Sequence, residues 1–351
     1  MKNTLLIHFV CVIFAASFTT INAQSMSHTL SAPVAKKLPK QLKKHNEIRI
    51  DDYYWLNDRE NPEVIDYLNQ ENSYYDAMTA HTKDFQKQLF EEMKGRIKED
   101  DQSVPYLYNG YYYITRYEKG QDYPIYSRKK GSLDAPEEIL FNCNELAKGH
   151  TFFQLGGLSV SPDNRFASFG VDTVGRRIYT IKIKNLETNE ILPDVIENAT
   201  GGSVWANDNH TLFYTRQDKV TLRANQIFKH KLQTTADQDV LVFEEKDETF
   251  NVSVGKEKSR KYIVIGSEST MTTEYRILNS ETPDAEFKVF QPRVRGLEYS
   301  ISHFGDSFYI LTNKDKATNF KLMKTPENAT EKKHWKEVVA HREDVLIEDI
   351  E

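Results

Sequence analysis

The chain has 351 residues, 39% of them hydrophobic, enough to bury a sizeable core, and its composition is neither that of a disordered chain nor that of a collagen-like polymer. Its 52 acidic and 46 basic residues leave a net charge of -6, with Lys and Glu interspersed along most of the length, which excludes a broad basic surface for nucleic acid.

Residues 1–23 read as a secretory signal peptide: Lys2, an apolar run from Leu5 to Ala16, then small and polar residues ending at Ala23. The apolar part is too short to anchor the chain, so the expectation is a periplasmic or secreted protein with no membrane span after the signal is removed. Cys11 leaves with the signal, and the one remaining thiol, Cys143, cannot staple the fold internally.

A Lys-rich lead (Lys36, Lys37, Lys40, Lys43, Lys44) precedes RIDDYYWLNDRENPEVIDYLNQEN, read as the first ordered stretch of an N-terminal segment over 24–98. Asn61 before Pro62 is a cap followed by a residue whose fixed φ suits the first helical turn, which predicts a helix starting there. Val64, Tyr67, Leu68, Tyr75 and Met78 share one face of it. Phe85, Leu89, Phe90, Met93 and Ile97 mark a second helix after Thr82.

From about residue 100 the hydrophobic period shortens to two and polar turns arrive every 8 to 12 or so residues, the pattern of an all-β region. A strand, a polar turn and a second strand recur at YLYNGYYYITRYEKG, SVSPDNRFASFGVD, WANDNHTLFYTRQD, SVGKEKSRKYIVIGSES and SHFGDSFYILTNKD, each followed by two further strands. With Tyr126, Tyr179, Phe228, Tyr275 and Phe320 as register marks, the steps are 53, 49, 47 and 45 residues. A four-stranded unit at this period is a β-propeller blade, which no large β-sandwich would reproduce so regularly. Asn109-Gly110, Pro162-Asp163-Asn164 and Gly305-Asp306 supply the tight reversals. Five blades are expected, near 101–157, 158–203, 204–250, 251–296 and 297–345, with 345–351 (VLIEDIE) as the first strand of a sixth, cut off before its partners; the chain reads as incomplete.

No G-x-S-x-G elbow, H-E-x-x-H, Cys pair, P-loop, G-x-G-x-x-G or EF-hand loop occurs, so the sequence offers no catalytic, cofactor-binding or metal-ligating residues. The histidines at 28, 45, 81, 150, 210, 230, 303, 334 and 341 stand singly in polar context and read as solvated or turn residues. The charged runs Glu244–Glu248 and Lys256–Lys258 read as solvated blade corners. Arg176-Arg177, in a loop between second and third strands, reads first as a solvated corner, with contact to an interface as the alternative.

IDDYYWLNDRENPEVIDYLNQEN (50–72), GVDTVGRRIYTIKIKNLET (170–188) and HREDVLIEDIE (341–351) resemble oligopeptidase B, in the prolyl oligopeptidase family of serine peptidases. The resemblance implies an all-β partial propeller, about five of seven blades, behind an N-terminal helical segment. It also implies an α/β-hydrolase domain built from that segment and a long C-terminal part. In the family the Ser, Asp and His, and the acidic residues that select Lys or Arg, lie in the C-terminal part. None of them is therefore carried over to a residue here, and the chain alone is expected to be inactive. The implied substrates are oligopeptides, filtered by size in the propeller, and the implied partner is the missing hydrolase domain. The competing expectation is a stand-alone small propeller that serves as a binding module.

Overall fold

The computed structural model describes residues 31–350, so the signal-peptide expectation over 1–23 and the residue at 351 lie outside the described residues. The chain divides into two compact units, 1–98 and 99–351.

The first unit opens with an element the Lys-rich lead concealed, a hairpin of β1 (Lys40–Lys44) and β2 (Glu47–Asp51). Its turn is His45-Asn46, both at positive φ (52° and 63°), the mirror-image turn that matches strand twist. Helix α1 (Pro62–Thr79) follows, capped by Asn61, whose Oδ1 accepts the Glu63 N–H at 3.0 Å. Helix α2 (Lys83–Gly95) comes after one 3-10 turn. Only Val64 of the two helices is buried; Tyr75, Phe85, Phe90 and Met93, on the apolar faces named above, are exposed within this unit.

The second unit is a partial propeller of five blades. Blade 1 holds β3 (Tyr106–Tyr108), β4 (Tyr111–Arg116), β5 (Ile125–Lys130) and β6 (Glu137–Asn142). Blade 2 holds β7 (Gln154–Val160), β8 (Phe166–Asp172), β9 (Tyr179–Asn185) and the first half of β10 (Ile191–Trp205). Blade 3 takes the second half of β10 with β11 (Thr211–Gln217), β12 (Ala224–Lys231) and β13 (Val240–Glu244). Blade 4 runs β14 (Asn251–Lys256), β15 (Tyr262–Ser269), β16 (Thr272–Asn279) and the short β17 (Lys288–Val289). Blade 5 runs β18 (Tyr299–Phe304), β19 (Ser307–Thr312), β20 (Lys321–Pro326) and β21 (Lys336–Val339). All pairings within these sheets are antiparallel. Residues 345–350 form no strand; Ile347 N–H instead donates to the Asn319 carbonyl at 3.1 Å.

The cores lie between blades, because each sheet is apolar on both faces. Phe141 meets Phe169 between blades 1 and 2, with ring centroids 4.4 Å apart. Phe166 and Ile183 pack on Trp205 and Leu212 between blades 2 and 3. Phe213 packs on Ile263 and Leu278 between blades 3 and 4. Phe290, Phe308, Tyr299 and Trp335 fill the junction of blades 4 and 5. Each large side chain so buried stabilises by roughly 1.5–3 kcal/mol. Cys143, 1% exposed beside β6, belongs to this packing, and burial pushes its thiol up to about 11.

Strand β10 departs from the expected segmentation: it runs without a break through the boundary placed at 203/204, while β7 begins at Gln154, ahead of the expected 158. One strand serves two blades because its backbone crosses the face of blade 2 from the outer edge to the inner. Ala199 pairs with both Tyr179 and Arg216. Gly201 (φ 98°) then lies against Gly170 and Gly157. A Cβ on Gly157 would stand 2.2 Å from the Gly201 carbonyl oxygen, and one on Gly170 would stand 2.6 Å from the Gly201 Cα. Side chains are excluded at the crossing.

Gly157→Ala, strained by its φ of 61° as well as by that contact, is expected to lower unfolding free energy by about 2 kcal/mol or more. Gly255→Ala, on an inner strand with open space around it, should change it by less than about 0.5 kcal/mol. Urea titrations of both variants check the contrast.

Candidate functional site

The first turn of each blade joins its two innermost strands, and those of blades 1 to 4 meet through hydrogen bonds. Asn109, at φ 49° before Gly110, allows the reversal from β3 to β4 and sends its Nδ2 to the Pro162 carbonyl of blade 2 at 2.7 Å. Asn164 returns the contact, donating to the Asn109 carbonyl at 3.3 Å. The Asp163 N–H donates to Asn209 Oδ1 of blade 3 at 2.8 Å. Asn207, on the same turn of blade 3, donates to Glu281 Oε1 of blade 4 at 2.6 Å and to the Arg260 carbonyl at 3.3 Å. Lys256, at the end of β14, donates to the Trp205 carbonyl and to Asn207 Oδ1 at 2.8 and 2.6 Å. Burial, aided by the neighbouring Arg260, lowers its ammonium pKa to about 8. The result is a polar mouth at the inner end of the blades, built from short Asn-rich turns whose amides reach their neighbours.

Beneath the mouth, buried ions tie the blades together. His230 on β12 is fully buried between Asp239 (Nδ1, 2.6 Å) and Asp194 (Nε2, 3.0 Å), the latter from the blade 2 half of β10. Asp194 also accepts the Gln233 N–H at 2.6 Å, and Asp239 accepts the Tyr214 hydroxyl at 2.6 Å. Burial opposes a charged ring here, but the two carboxylates outweigh it and raise the His230 pKa to about 9. Between blades 3 and 4, Arg293 donates to Glu245 at 2.5 Å while its guanidinium lies 3.6 Å from the Phe250 ring centroid. Burial alone would raise Glu245, yet Arg293, Ser267 and the Asp247 N–H hold its carboxyl below the usual range.

A hydroxyl, an imidazole and a carboxylate also line up between blades 4 and 5. Ser259 Oγ is 2.9 Å from His303 Nδ1, and His303 Nε2 is 3.2 Å from Glu327. This order has the outward form of a nucleophile relay. Its environment is that of a tie. Glu327 is already paired with Lys261 Nζ at 2.5 Å and takes the Tyr262 hydroxyl at 3.2 Å, so its carboxylate is shared among three donors. The His303 ring is wedged 4.9 Å from both Tyr262 and Phe308, and the backbone N–H of His303 donates to Glu257 at 2.9 Å.

The reading of all histidines as solvated therefore fails at His230 and His303, and the reading of the charged runs as solvated corners fails at Glu245 and Lys256. The partners in neighbouring blades stand far away in sequence, as Asp194 does, 36 residues before His230, so no local pattern marks those pairs. Arg176 and Arg177 have exposed side chains; it is the Arg177 carbonyl that reaches blade 3, accepting Gln217 Nε2 at 2.6 Å.

The two carboxylates give His230 a pH signature. Its folded pKa lies above the ordinary 6.5, so its stabilisation is complete below about pH 6.5 and is lost as pH rises through 9. Lys256, lowered when folded, works in the opposite sense, losing stability as pH falls from its ordinary value through 8. The difference between wild type and His230→Gln isolates the histidine. The wild-type advantage is expected to shrink by on the order of 2 kcal/mol between pH 6.5 and 9.5, read from urea midpoints across that range.

A profile described as "Prolyl oligopeptidase, N-terminal beta-propeller domain" matches residues 33–351. The chain is 40% identical over 368 residues to a dipeptidyl aminopeptidase BI of Pseudoxanthomonas mexicana, covering 100% of this chain and 50% of that protein. It is 34% identical over 306 residues to Protease 2 of Moraxella lacunata, covering 85% and 44%. The solved oligopeptidase B of Leishmania major superimposes with a TM-score of 0.84 at 30% identity over 91% of this chain and 47% of that one. The chain spans about half the length of the relatives it matches. Five successive four-stranded blades and a profile match along almost the whole length place the chain in the prolyl oligopeptidase family, as its N-terminal β-propeller portion.

Proposed function

We propose that this chain is the N-terminal and propeller portion of an exported serine oligopeptidase that cleaves short peptides after Lys or Arg. In this reading a Ser, His and Asp on a C-terminal α/β-hydrolase domain perform acyl transfer. The Ser attacks the scissile carbonyl, the His moves its proton to the leaving amine, the Asp orients the His and backbone N–H groups hold the oxyanion; water, deprotonated by the same His, then cleaves the acyl–Ser ester and frees the new carboxylate. The propeller contributes no reacting atom. It excludes folded chains, because a peptide must enter extended and unaccompanied where a globular protein is too wide.

The observation that carries this reading is the convergence of the innermost turns of successive blades, hydrogen-bonded side by side into a narrow polar mouth. The exposed faces of α1 and α2 support the second half of it. Phe85, Phe90, Met93 and Ile97 are each 59–67% exposed within their unit, and burying them against a hydrolase domain would return roughly 1.5 kcal/mol or more per side chain. Export rests on the apolar segment at 5–16 and its small-residue terminus.

A second reading has one observation in its favour. The 40% identical relative is named a dipeptidyl aminopeptidase, which points to release of dipeptides from a free N-terminus in place of internal cleavage.

The test is expression of the open reading frame that contains this chain, together with whatever follows residue 351, in parallel with residues 1–351 alone. The longer product is expected to hydrolyse an N-blocked Arg reporter peptide at least tenfold faster than its Pro counterpart, to be silenced by a fluorophosphonate and to spare a folded ribonuclease. Residues 1–351 alone are expected to be inert. Cleavage by residues 1–351, or preference for Pro, overturns the proposal; hydrolysis confined to unblocked dipeptidyl reporters selects the second reading.

A further inference from the structure

We propose that Arg260 is a bar across the propeller mouth and sets the size of peptide that passes, an inference that rests on the size-filter reading above. Arg260 sits in the turn between β14 and β15 of blade 4 with a φ of 62°, a conformation that Gly or Asn takes at lower cost. Its backbone is fixed there: its N–H donates to the Glu257 carbonyl at 2.7 Å, and its own carbonyl accepts Ser280 Oγ at 2.5 Å and Asn207 Nδ2 at 3.3 Å. The side chain is thereby aimed away from its own blade. Its Nη1 donates to Asn109 Oδ1 at 2.9 Å, on the first turn of blade 1, and the guanidinium lies 6.0 Å from the Tyr108 ring centroid.

That contact joins turns 151 residues and three blades apart. It closes a circuit, since Asn109 reaches Pro162, Asp163 reaches Asn209, Asn207 reaches the Arg260 carbonyl, and Arg260 returns to Asn109. Every other link joins neighbouring blades and is backed by an apolar core beneath it. The Arg260 link has no core beneath it, because blades 1 and 4 share no hydrophobic cluster among the described residues. It is a single hydrogen bond from a long, flexible side chain. The Asn109 amide orients it, because Nδ2 is committed to Pro162 and Oδ1 is left facing Arg260. A cavity of about 440 Å³ lies at the bar, lined by Pro162, Asn207, Ser259, Arg260, Lys261 and Glu281. A peptide entering there meets the guanidinium first and displaces one hydrogen bond to pass, whereas a wider object must separate blades 1 and 4.

The first measurement uses nitroxides on Ser132→Cys and Thr282→Cys, exposed positions in the last turns of blades 1 and 4, read by electron double resonance on residues 1–351. Buried Cys143, with its thiol pushed up to about 11, is slow to label. Arg260→Ala is expected to broaden the distance distribution at least 1.5-fold. Arg260→Gly, which relaxes the backbone at φ 62°, is expected to do the same, which separates loss of the side chain from turn strain. The second measurement is the ratio of hydrolysis rates for a 20-residue and a 4-residue Arg peptide in the longer product. That ratio is expected to rise at least threefold in both variants. An unchanged distribution, or a broadened distribution with an unchanged ratio, overturns the role of Arg260. Loss of length discrimination in the wild-type protein itself overturns the size-filter reading instead, and the distance measurement then stands as the test of the bar alone.

Discussion

The close passage of Gly201 over Gly170 and Gly157 is the constraint on which the propeller depends. A blade buries both faces only against neighbours, so the chain must deliver each new blade's inner strand to the axis after finishing the previous blade at the rim. Elsewhere loops make that return. Between blades 2 and 3 a continuous strand does it, and it can do so only where three glycines let backbone lie on backbone. The Tyr179 ring then covers the crossing, at the distance a Cβ on Gly201 would need for itself. Moving this strand outward by the width of a methyl group would disturb the pairing of β10 with β11 and the seat of Trp205 against Ser159, whose carbonyl accepts the indole N–H at 3.1 Å.

Apolar packing sets the distance between blades, and buried ions set their register. The Phe and Ile contacts between sheets are directionless and would tolerate sliding, whereas Asp194, His230 and Asp239 tolerate almost none, because losing one partner strands a charge away from water. The same division holds at Arg293 and Glu245, and, with partly exposed partners, where Lys261 and the buried His303 meet Glu327. Three successive junctions thus combine an aromatic or aliphatic core with one polar tie, and the polar mouth inherits its geometry from both.

Much of the fold was legible in the sequence because a blade's turns are local. Asn-Gly, Pro-Asp-Asn and Gly-Asp each announce a reversal within four residues, and five repetitions of the signal define the architecture. The helix start at Asn61-Pro62 is local in the same way. What escaped was non-local or masked by charge. The β1–β2 hairpin is hidden in a lysine run whose only structural cue is Asn46. The double role of β10 depends on glycines at 157, 170 and 201, each unremarkable within its own strand. His230 and Glu245 sit in stretches that look solvated, and only their distant partners reveal otherwise. Periodicity reports which face of a strand is apolar; it carries no information about which polar residue on that face has found a counter-ion.

The burial of Cys143 makes the thiol a natural clock for blade 1. A sulfhydryl that is 1% exposed and held protonated to about 11 meets an alkylating reagent only when its surroundings open, so its modification rate at neutral pH counts openings. Because the residue directly follows β6, whose Phe141 forms the seam with blade 2, those openings record how often the first blade detaches from the second.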